Sequence, residues 1–221
     1  MALLLNIDTA TEQAGVCLSK DGEILAIEET PGQKNHASFI QPAIQRVMQA
    51  SGSNLSSIDA VAVTAGPGSY TGLRVGLSTA KGLCYALGKP LIMINTLEVM
   101  ATASILANGE ENVLFCPMID ARRMEVFTAL YTANRQTILP PTAMVLDETS
   151  FQNELSSTTI IFSGSGSTKA QIIQHTNAVF CSTSYSVKHL AVLALLSYNA
   201  SRFASLAYSE PFYLKEFYKK A

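Results

Sequence analysis

The spacing of hydrophobic and polar positions in the first half of the chain predicts three strands followed by a helix. LLLNID, residues 3–8, is an apolar run of strand length. The residues on either side of Asp21-Gly22 alternate between apolar and polar, as they do in a β-hairpin. Apolar residues at helical spacing follow in residues 39–47, where Ser38 and Gln41 resemble a capping box.

Two apolar segments then flank a second predicted helix. DAVAVTAG, residues 59–66, is typical of a short buried strand, residues 69–87 have helical spacing, and PLIMIN, residues 90–95, is another strand. The predicted element order of this half is therefore βββαβαβ, which indicates an α/β protein.

The second half of the chain repeats features of the first. Asp120 ends an apolar strand and precedes a turn residue, Asn134, by 14 residues, the separation that also lies between Asp8 and Gly22. Strand and helix patterns continue through a helix predicted near residues 168–174 to an apolar helix predicted at residues 187–203. We expect two related domains, residues 1–95 and 96–221, with an interdomain cleft, the layout of the actin-like ATPase and sugar-kinase fold.

Composition narrows the classes of function. The 221 residues contain 15 Lys plus Arg against 17 Asp plus Glu, so the chain lacks the basic excess that binds nucleic-acid phosphates, and we expect weak binding of RNA alone. MALLLNIDTA has no basic segment before its apolar residues, which predicts a strand and no signal peptide. No stretch is long enough to span a membrane. The four cysteines show no C-x-x-C spacing, which favours free thiols in the cytoplasm.

A glycine-rich turn precedes the second helix. Gly66 and Gly68, on either side of Pro67, allow a tight turn, and the helix that follows offers free N–H groups to an anion such as phosphate. A Walker motif is excluded, because Gly72 is followed by Leu73 and not by lysine. A plain turn before a helix is the alternative, and the spacing leaves both open.

The second helix carries a stripe of small residues, with Gly72, Gly76 and Ala80 at four-residue intervals. An interior glycine costs about 1 kcal/mol relative to alanine, so close approach of another backbone is the usual compensation. The opposite face is apolar with a cationic edge, and we predict that it binds a partner together with the first helix. The predicted partner-binding residues are Phe39, Ile40, Ala43, Ile44, Val47, Tyr70, Leu73, Arg74, Leu77 and Lys81.

A resemblance to a known family rests on the segments NIDTAT, NHASFIQPAI, AGPGSYTGLRVGLSTAKGLCYAL, MIDARRMEVF and EPFYL, with residues 66–87 the most specific and residues 147–208 a looser match. Together these segments resemble the TsaB (YeaZ) family of subunits for threonylcarbamoyladenosine biosynthesis. The resemblance implies two RNase H-like (actin-like ATPase) domains with mixed five-stranded sheets. It also implies a non-catalytic paralogue of TsaD, the subunit that transfers the threonylcarbamoyl group to the adenosine beside the anticodon of tRNAs that read codons beginning with A.

The resemblance also supplies a test of catalysis. TsaD has an H-x-x-x-H pair of metal ligands after the strand that follows the glycine-rich helix, and these positions correspond to Thr96 and Met100. A hydroxyl and a thioether cannot replace two imidazole nitrogens. We therefore expect no metal site and no catalytic residue. Glu98, between them, is typical of the first turn of a helix, where a carboxylate interacts favourably with the helix dipole.

Other polar and glycine positions fit the remnant of a nucleotide site. The sequence DTAT after Asp8 lacks the glycine that phosphate loops use, which argues against tight binding, and no cofactor is expected beyond weak nucleotide at a partner interface. The candidates for this vestigial site are Asp8, Gly66, Gly68, Asp120, Gly164 and Gly166.

The sequence is thus interpreted as an accessory subunit and not an enzyme by itself. The resemblance implies a heterodimer with TsaD, contact with the ATPase TsaE through TsaD, a homodimer, and tRNA bound only through the complex, with no membrane association. An ATP-dependent small-molecule kinase or ATPase of the same fold, using Asp8 and Asp120, is the alternative. A protease is a third option, for which the sequence offers no convincing nucleophile.

Overall fold

A computed structural model describes residues 1–30, 36–183 and 185–215, which form two compact units. The first unit contains Met1–Thr96 and Ser186–Phe212, and the second contains Leu97–Tyr185 and the described residues from Tyr213 onward. Within the described residues, none of the helices is both long enough and apolar enough to span a bilayer.

The first unit contains a mixed five-stranded sheet with the order β3-β2-β1-β4-β5. β1 pairs antiparallel with β2 and parallel with β4, and β4 pairs parallel with β5. Asp21 and Gly22 have φ values of 50° and 92° in the turn between β2 and β3, which confirms the predicted hairpin. The strands are β1 (Leu3–Asp8), β2 (Gly15–Lys20), β3 (Glu23–Glu29), β4 (Ala60–Gly66) and β5 (Leu91–Asn95).

Two helices, α1 (His36–Ala50) and α2 (Tyr70–Leu87), pack beside one another on one face of this sheet. A short 3-10 helix, Leu55–Ser57, follows α1. The hydroxyl of Ser69 accepts a hydrogen bond from Gly72 N at the start of α2, and Gly88 ends the helix in the left-handed conformation. The element order βββαβαβ is confirmed. The predicted capping box is wrong, because α1 includes His36 and Ser38 therefore lies inside its first turn.

The second unit repeats the topology of the first. Its sheet has the order β10-β9-β6-β7-β8, with β6 antiparallel to β7 and parallel to β9. β6 therefore corresponds to β1, and the mixed five-stranded α/β fold predicted for both halves is confirmed. The strands are β6 (Val113–Asp120), β7 (Glu125–Thr132), β8 (Thr137–Val145), β9 (Thr159–Ser163) and β10 (Ala178–Phe180).

Three further helices complete the two units. They are α3 (Thr96–Asn108), α4 (Gln152–Ser157) and α5 (Val187–Asn199). A 3-10 helix, Lys169–Ile172, stands where a longer helix was predicted near residues 168–174. The shorter element reflects the turn that precedes it, in which Gly166 N and Lys169 N are bound to nearby carbonyl groups.

α3 and α5 each pack on a different sheet from the one that contains the strand before them in the chain. α3 comes after β5 but buries Leu97 and Met100 with Phe115 in a core of the second unit. α5 comes after β10 but contacts all five strands of the first sheet. The prediction that residues 96–221 form one domain is therefore wrong for Ser186–Phe212, because this segment buries its apolar side chains in the first unit.

The start of α5 is fixed to the first sheet by polar contacts. Val187 N donates a hydrogen bond of 3.0 Å to Glu29 Oε1, and Cys17 Sγ contacts the carbonyl oxygen of Val187 at 3.8 Å. Gly15 is required here, because a Cβ at this position would lie 2.8 Å from Val187 Cβ. At the same end of α5, Ser186 and His189 form a capping box.

Replacing Leu77 with alanine should destabilise the first unit. Leu77 is 4% exposed and lies in the core between α2 and the sheet, so truncation should cost about 2–5 kcal/mol of unfolding free energy. Ser78→Ala on the exposed side of α2 is the matched control and should change stability by less than about 0.5 kcal/mol. Urea denaturation measures both, and equal stability of the two variants would contradict this placement of α2.

His189 should make stability depend on pH. Burial, and to a smaller extent the neighbouring Lys188, lower the pKa of His189 in the folded protein. In the unfolded chain the pKa of a histidine is about 6.5, so the unfolded chain binds more protons than the folded protein as the pH falls toward and below that value. The free energy of unfolding should fall as the pH decreases from about 7.5 to about 5.5, and less so in His189→Asn. Exposed His175 is the control site, and a pH dependence unchanged by His189→Asn would contradict the assignment.

Candidate functional site

The loop after β1 contacts the glycine face of α2. Thr9 Oγ1 donates a hydrogen bond of 2.7 Å to the carbonyl oxygen of Gly72, and Ser69 N donates one of 2.7 Å to that of Ala10. A Cβ on Gly68 or Gly72 would collide with the main-chain oxygen atoms of this loop. A Cβ on Gly76 would likewise meet the side chain of Thr9. The small-residue stripe of α2 therefore accommodates the chain's own β1 loop.

This contact decides between the two interpretations of the glycine-rich turn. Helix N-termini bind anions through N–H groups that have no partner within the helix. Here Ser69 N is bound to the carbonyl of Ala10, and Gly72 N is bound to the Ser69 hydroxyl at 3.3 Å. The geometry favours a plain turn before a helix, since two of the N–H groups that a phosphate would use are already hydrogen-bonded within the chain.

Residues at the far end of the chain also pack on this turn. Phe212 N donates a hydrogen bond of 2.7 Å to the carbonyl oxygen of Ala65. Gly66 has a φ of 112°, and a Cβ at this position would collide with the carbonyl oxygen of Phe212. Gly66 is therefore explained by its left-handed backbone and by the approach of the segment that ends the first unit.

Asp8 is buried at the end of β1, and its side chain is engaged by neighbouring groups. One carboxylate oxygen, Oδ1, accepts hydrogen bonds from Thr64 Oγ1 at 2.8 Å and from Ala10 N at 3.0 Å. Only 1% of the residue is exposed. The carboxylate of Asp8 thus ties β1 to β4 and to the loop that contacts α2.

Asp120 occupies the equivalent strand end in the second unit and is paired with a lysine. Lys169 Nζ lies 2.6 Å from Asp120 Oδ1, and Arg122 N donates a hydrogen bond of 2.7 Å to the same oxygen. The hydrogen bond from Lys169, followed by that from Arg122 N, lowers the pKa of Asp120. Sequence analysis missed Lys169, whose single signal was a basic residue three positions after a glycine-containing turn.

The second glycine turn also packs against its own sheet. Gly166 N donates a hydrogen bond of 3.0 Å to the carbonyl oxygen of Met118, and a Cβ on Gly166 would lie 2.9 Å from Val126 Cγ1. Gly164 has a φ of 90°. The six predicted remnant residues thus form two separate groups, Asp8 with Gly66 and Gly68 in one unit, and Asp120 with Gly164 and Gly166 in the other.

The positions that correspond to the metal ligands of TsaD lie on α3. Thr96 is fully buried, and its hydroxyl has no hydrogen-bond partner in the described part of the chain. Met100 is 6% exposed and belongs to a core of the second unit. Among residues 1–30, 36–183 and 185–215, no group of three His, Cys, Asp or Glu side chains could hold a metal ion.

Most of the predicted partner-binding residues are buried within the chain. The premise that Leu73 and Leu77 face outward is wrong, because they are 1% and 4% exposed. Leu77 belongs to the core of the first unit, and Leu73 lies close to Gly66 in the turn before α2. The buried members of the predicted set are Ile40, Ala43, Ile44, Val47, Leu73 and Leu77.

The accessible part of α2 is a smaller surface with aromatic and basic side chains. Arg74 is exposed, and its guanidinium lies 4.1 Å from the ring centroid of Tyr70. Lys81 Nζ donates a hydrogen bond of 3.0 Å to the carbonyl oxygen of Ser209. Tyr85, which sequence analysis missed, is 83% exposed one turn beyond Lys81. Of the remaining predicted residues, Phe39 is partly buried on α1.

Comparisons with known proteins place the chain in a family. The profile of the family described as "TsaD: tRNA N6-adenosine threonylcarbamoyltransferase" matches residues 25–219. The chain belongs to this family. Within the TsaD family, the chain is similar to the tRNA threonylcarbamoyladenosine biosynthesis protein TsaB of Escherichia coli (strain K12), with 40% identity over 136 residues. It is 41% identical over 124 residues to the TsaB of Haemophilus influenzae.

These relatives confirm the resemblance to TsaB. The aligned stretches cover 61% and 56% of this chain, and 57% and 51% of the E. coli and H. influenzae proteins. A solved structure, YeaZ from Pseudomonas aeruginosa, matches with a TM-score of 0.84 at 24% identity and covers 97% of this chain and 100% of that one. The α/β fold with two mixed five-stranded sheets, predicted from the resemblance to the TsaB (YeaZ) family, is therefore confirmed over nearly the whole chain.

Two glycines of α2 should respond oppositely to alanine. At Gly76 the new Cβ would collide with Thr9, so Gly76→Ala should destabilise the protein. At Gly82 no atom lies within 4 Å of the new Cβ, so Gly82→Ala should stabilise it by about 0.5–1 kcal/mol through helix propensity. Thermal denaturation of both variants is the measurement. Stabilisation by both substitutions would show that Thr9 does not occupy the glycine stripe.

Proposed function

We propose that this chain is a non-catalytic accessory subunit of the system that transfers a threonylcarbamoyl group to adenosine next to the anticodon, in tRNAs that read codons beginning with A. Membership of the TsaD family and similarity to proteins named for threonylcarbamoyladenosine biosynthesis support a role in this modification. In this role the chain binds a TsaD subunit and supports its activity as a scaffold.

The observation that carries the proposal is the use of both strand-end sites by the chain itself. In the first unit, the carbonyl of Ala10 takes the hydrogen bond of Ser69 N at the start of α2. In the second unit, Lys169 forms an ion pair with the carboxylate of Asp120. A phosphate or a nucleotide-bound cation would have to displace these contacts, which weighs against the kinase or ATPase alternative.

The proposed partners are TsaD, a second copy of this chain, and the ATPase TsaE, which is reached through TsaD. The accessible face of α2, which bears Tyr70, Arg74 and Tyr85, is the proposed contact, because arginine and tyrosine are enriched among residues that dominate binding energy. One face serving both assemblies makes the homodimer and the heterodimer compete. The proposed compartment is the cytoplasm, where tRNA is modified.

Reconstitution with TsaD and TsaE from the same organism tests the proposal. The chain alone should form no threonylcarbamoyladenosine in tRNA, and omitting it from the complete mixture should abolish or strongly reduce product, measured by mass spectrometry of nucleosides. Full product formation by TsaD and TsaE without the chain would contradict a supporting role. Product formed by the chain alone would contradict a non-catalytic one.

Two arginine variants test the contact surface within the same experiment. Arg74→Ala should weaken capture of TsaD by about 2 kcal/mol or more, since interface arginines are frequent sites of high binding energy. Arg46→Ala is the matched control, because Arg46 is also exposed but lies on α1, where it pairs with Glu28 of β3 at 3.1 Å. Equal capture by the two variants would place the partner elsewhere.

A further inference from the structure

The turn between β6 and β7 holds two adjacent arginines in an unusual backbone conformation. Arg122 and Arg123 have φ values of 71° and 49°, in the left-handed region that favours glycine and asparagine. The turn is closed by hydrogen bonds of 3.1 Å from Ala121 N to the carbonyl of Glu125 and from Glu125 N to that of Arg122. Glycine, and next to it asparagine, are the residues that adopt this conformation most readily.

The carboxylates beside this turn are already matched by lysines. Asp120 is paired with Lys169 at 2.6 Å, and Glu125 is paired with Lys215. Lys169 Nζ also donates a hydrogen bond of 3.0 Å to the carbonyl oxygen of Glu125, so that one lysine holds both sides of the hairpin base. The local acidic groups are therefore neutralised without any contribution from the arginines.

The two arginines place their positive charges on the surface of the turn. Both arginines are exposed, and within residues 1–30, 36–183 and 185–215 neither side chain has a hydrogen-bond, ion-pair or aromatic partner. Leu146 N donates a hydrogen bond to the carbonyl oxygen of Met124 in the same turn. The carboxylate of the next residue, Asp147, accepts hydrogen bonds from Thr149 and Ser150 through its Oδ1 atom. The turn thus presents two positive charges on a hairpin whose base is hydrogen-bonded, in a chain whose net charge is −2.

We infer that the turn at Arg122 and Arg123 is a contact site for the phosphate backbone of RNA. A guanidinium group matches the geometry of a phosphate through paired N–H donors, and it stays charged at every physiological pH. This inference rests on the proposed function, which brings a tRNA to the complex. It assigns to this chain a direct part in holding the tRNA, beyond its role as a scaffold for TsaD.

The surface around the turn fits a polyanion better than a protein partner. Protein interfaces are built around a buried apolar centre. Two large apolar side chains are exposed here, Met124 at 38% and Val145, opposite Glu125 on β8, at 68%, and the ion pairs of Asp120 and Glu125 lie beside them. They are exposed rather than buried and do not form such a centre. Phosphate contacts need no apolar centre, because they gain free energy from the release of counterions. Two such contacts supply modest affinity alone and add to those of other subunits.

The chain contains a matched control for the experiment. Arg135 also has a positive φ, 62°, and lies in the hairpin turn at the opposite end of β7. Arg123→Gly and Arg135→Gly each remove one positive charge and relieve one left-handed residue. The double variant Arg122→Asn/Arg123→Gly removes both charges of the proposed site and places at each left-handed position a residue that tolerates a positive φ, so we expect a melting temperature no lower than that of the wild type.

Binding of tRNA to the full chain should be measured by fluorescence anisotropy over a salt series that starts at low ionic strength. The slope of log association constant against log salt should fall by about 0.7–0.9 in magnitude for Arg123→Gly and by about 1.4–1.8 for the double variant. Arg135→Gly should leave the slope unchanged. A tRNA that reads codons beginning with A and one that does not should give the same losses, because phosphate contacts carry no sequence information.

Each other result overturns the inference. An unchanged slope in the double variant, an equal loss in Arg135→Gly, or no measurable tRNA binding by the wild type at low salt would each do so. Loss of TsaD capture by the double variant with an unchanged tRNA slope would identify the turn as a contact for an acidic protein surface. The reconstitution assay is independent, since a chain that fails there but shows the expected slopes would contradict the proposed function alone.

Discussion

The first unit depends on one contact, in which Thr9 and Ala10 of the loop after β1 pack against the start of α2. It holds the start of α2 so close to this loop that no side chain fits at Gly68, Gly72 or Gly76. The glycines weaken the helix, and the hydrogen bonds from Thr9 and to Ala10, with close packing of the two backbones, offset that cost. The position of α2 then determines which of its other residues fill the core and which reach solvent.

The same constraint supports the accessory role that we propose for the chain. The first unit fills the space before α2 with its own loop, and the second fills the equivalent place with the ammonium group of Lys169. With these strand ends and the start of α2 hydrogen-bonded within the chain, the exposed groups for which we propose functions lie on the outer face of α2 and on the β6–β7 turn.

Sequence periodicity predicted the strands, the hairpin at Asp21-Gly22 and the repeated topology, because these depend on local alternation and turn chemistry. It could not tell which face of α2 is buried, since the glycine stripe and the leucine stripe with Leu73 and Leu77 are both apolar. Nor could it assign α3 and α5 to the correct sheet, because the apolar pattern of a helix is the same whichever sheet the helix packs against. Sequence patterns did not indicate a role for Lys169, because its partner Asp120 lies 49 positions away in the chain.

The path of α5 has a consequence for how the protein is made. Residues 1–96 leave the ribosome first, but the face of their sheet that α5 covers stays open until Ser186–Phe212 has also been synthesised. Meanwhile the intervening segment, Leu97–Tyr185, contains its own sheet and cores. The later-starting unit can therefore close before the earlier one, so that the first strands translated are among the last to be completed. During that interval the nascent chain exposes an apolar sheet face that chaperones can recognise.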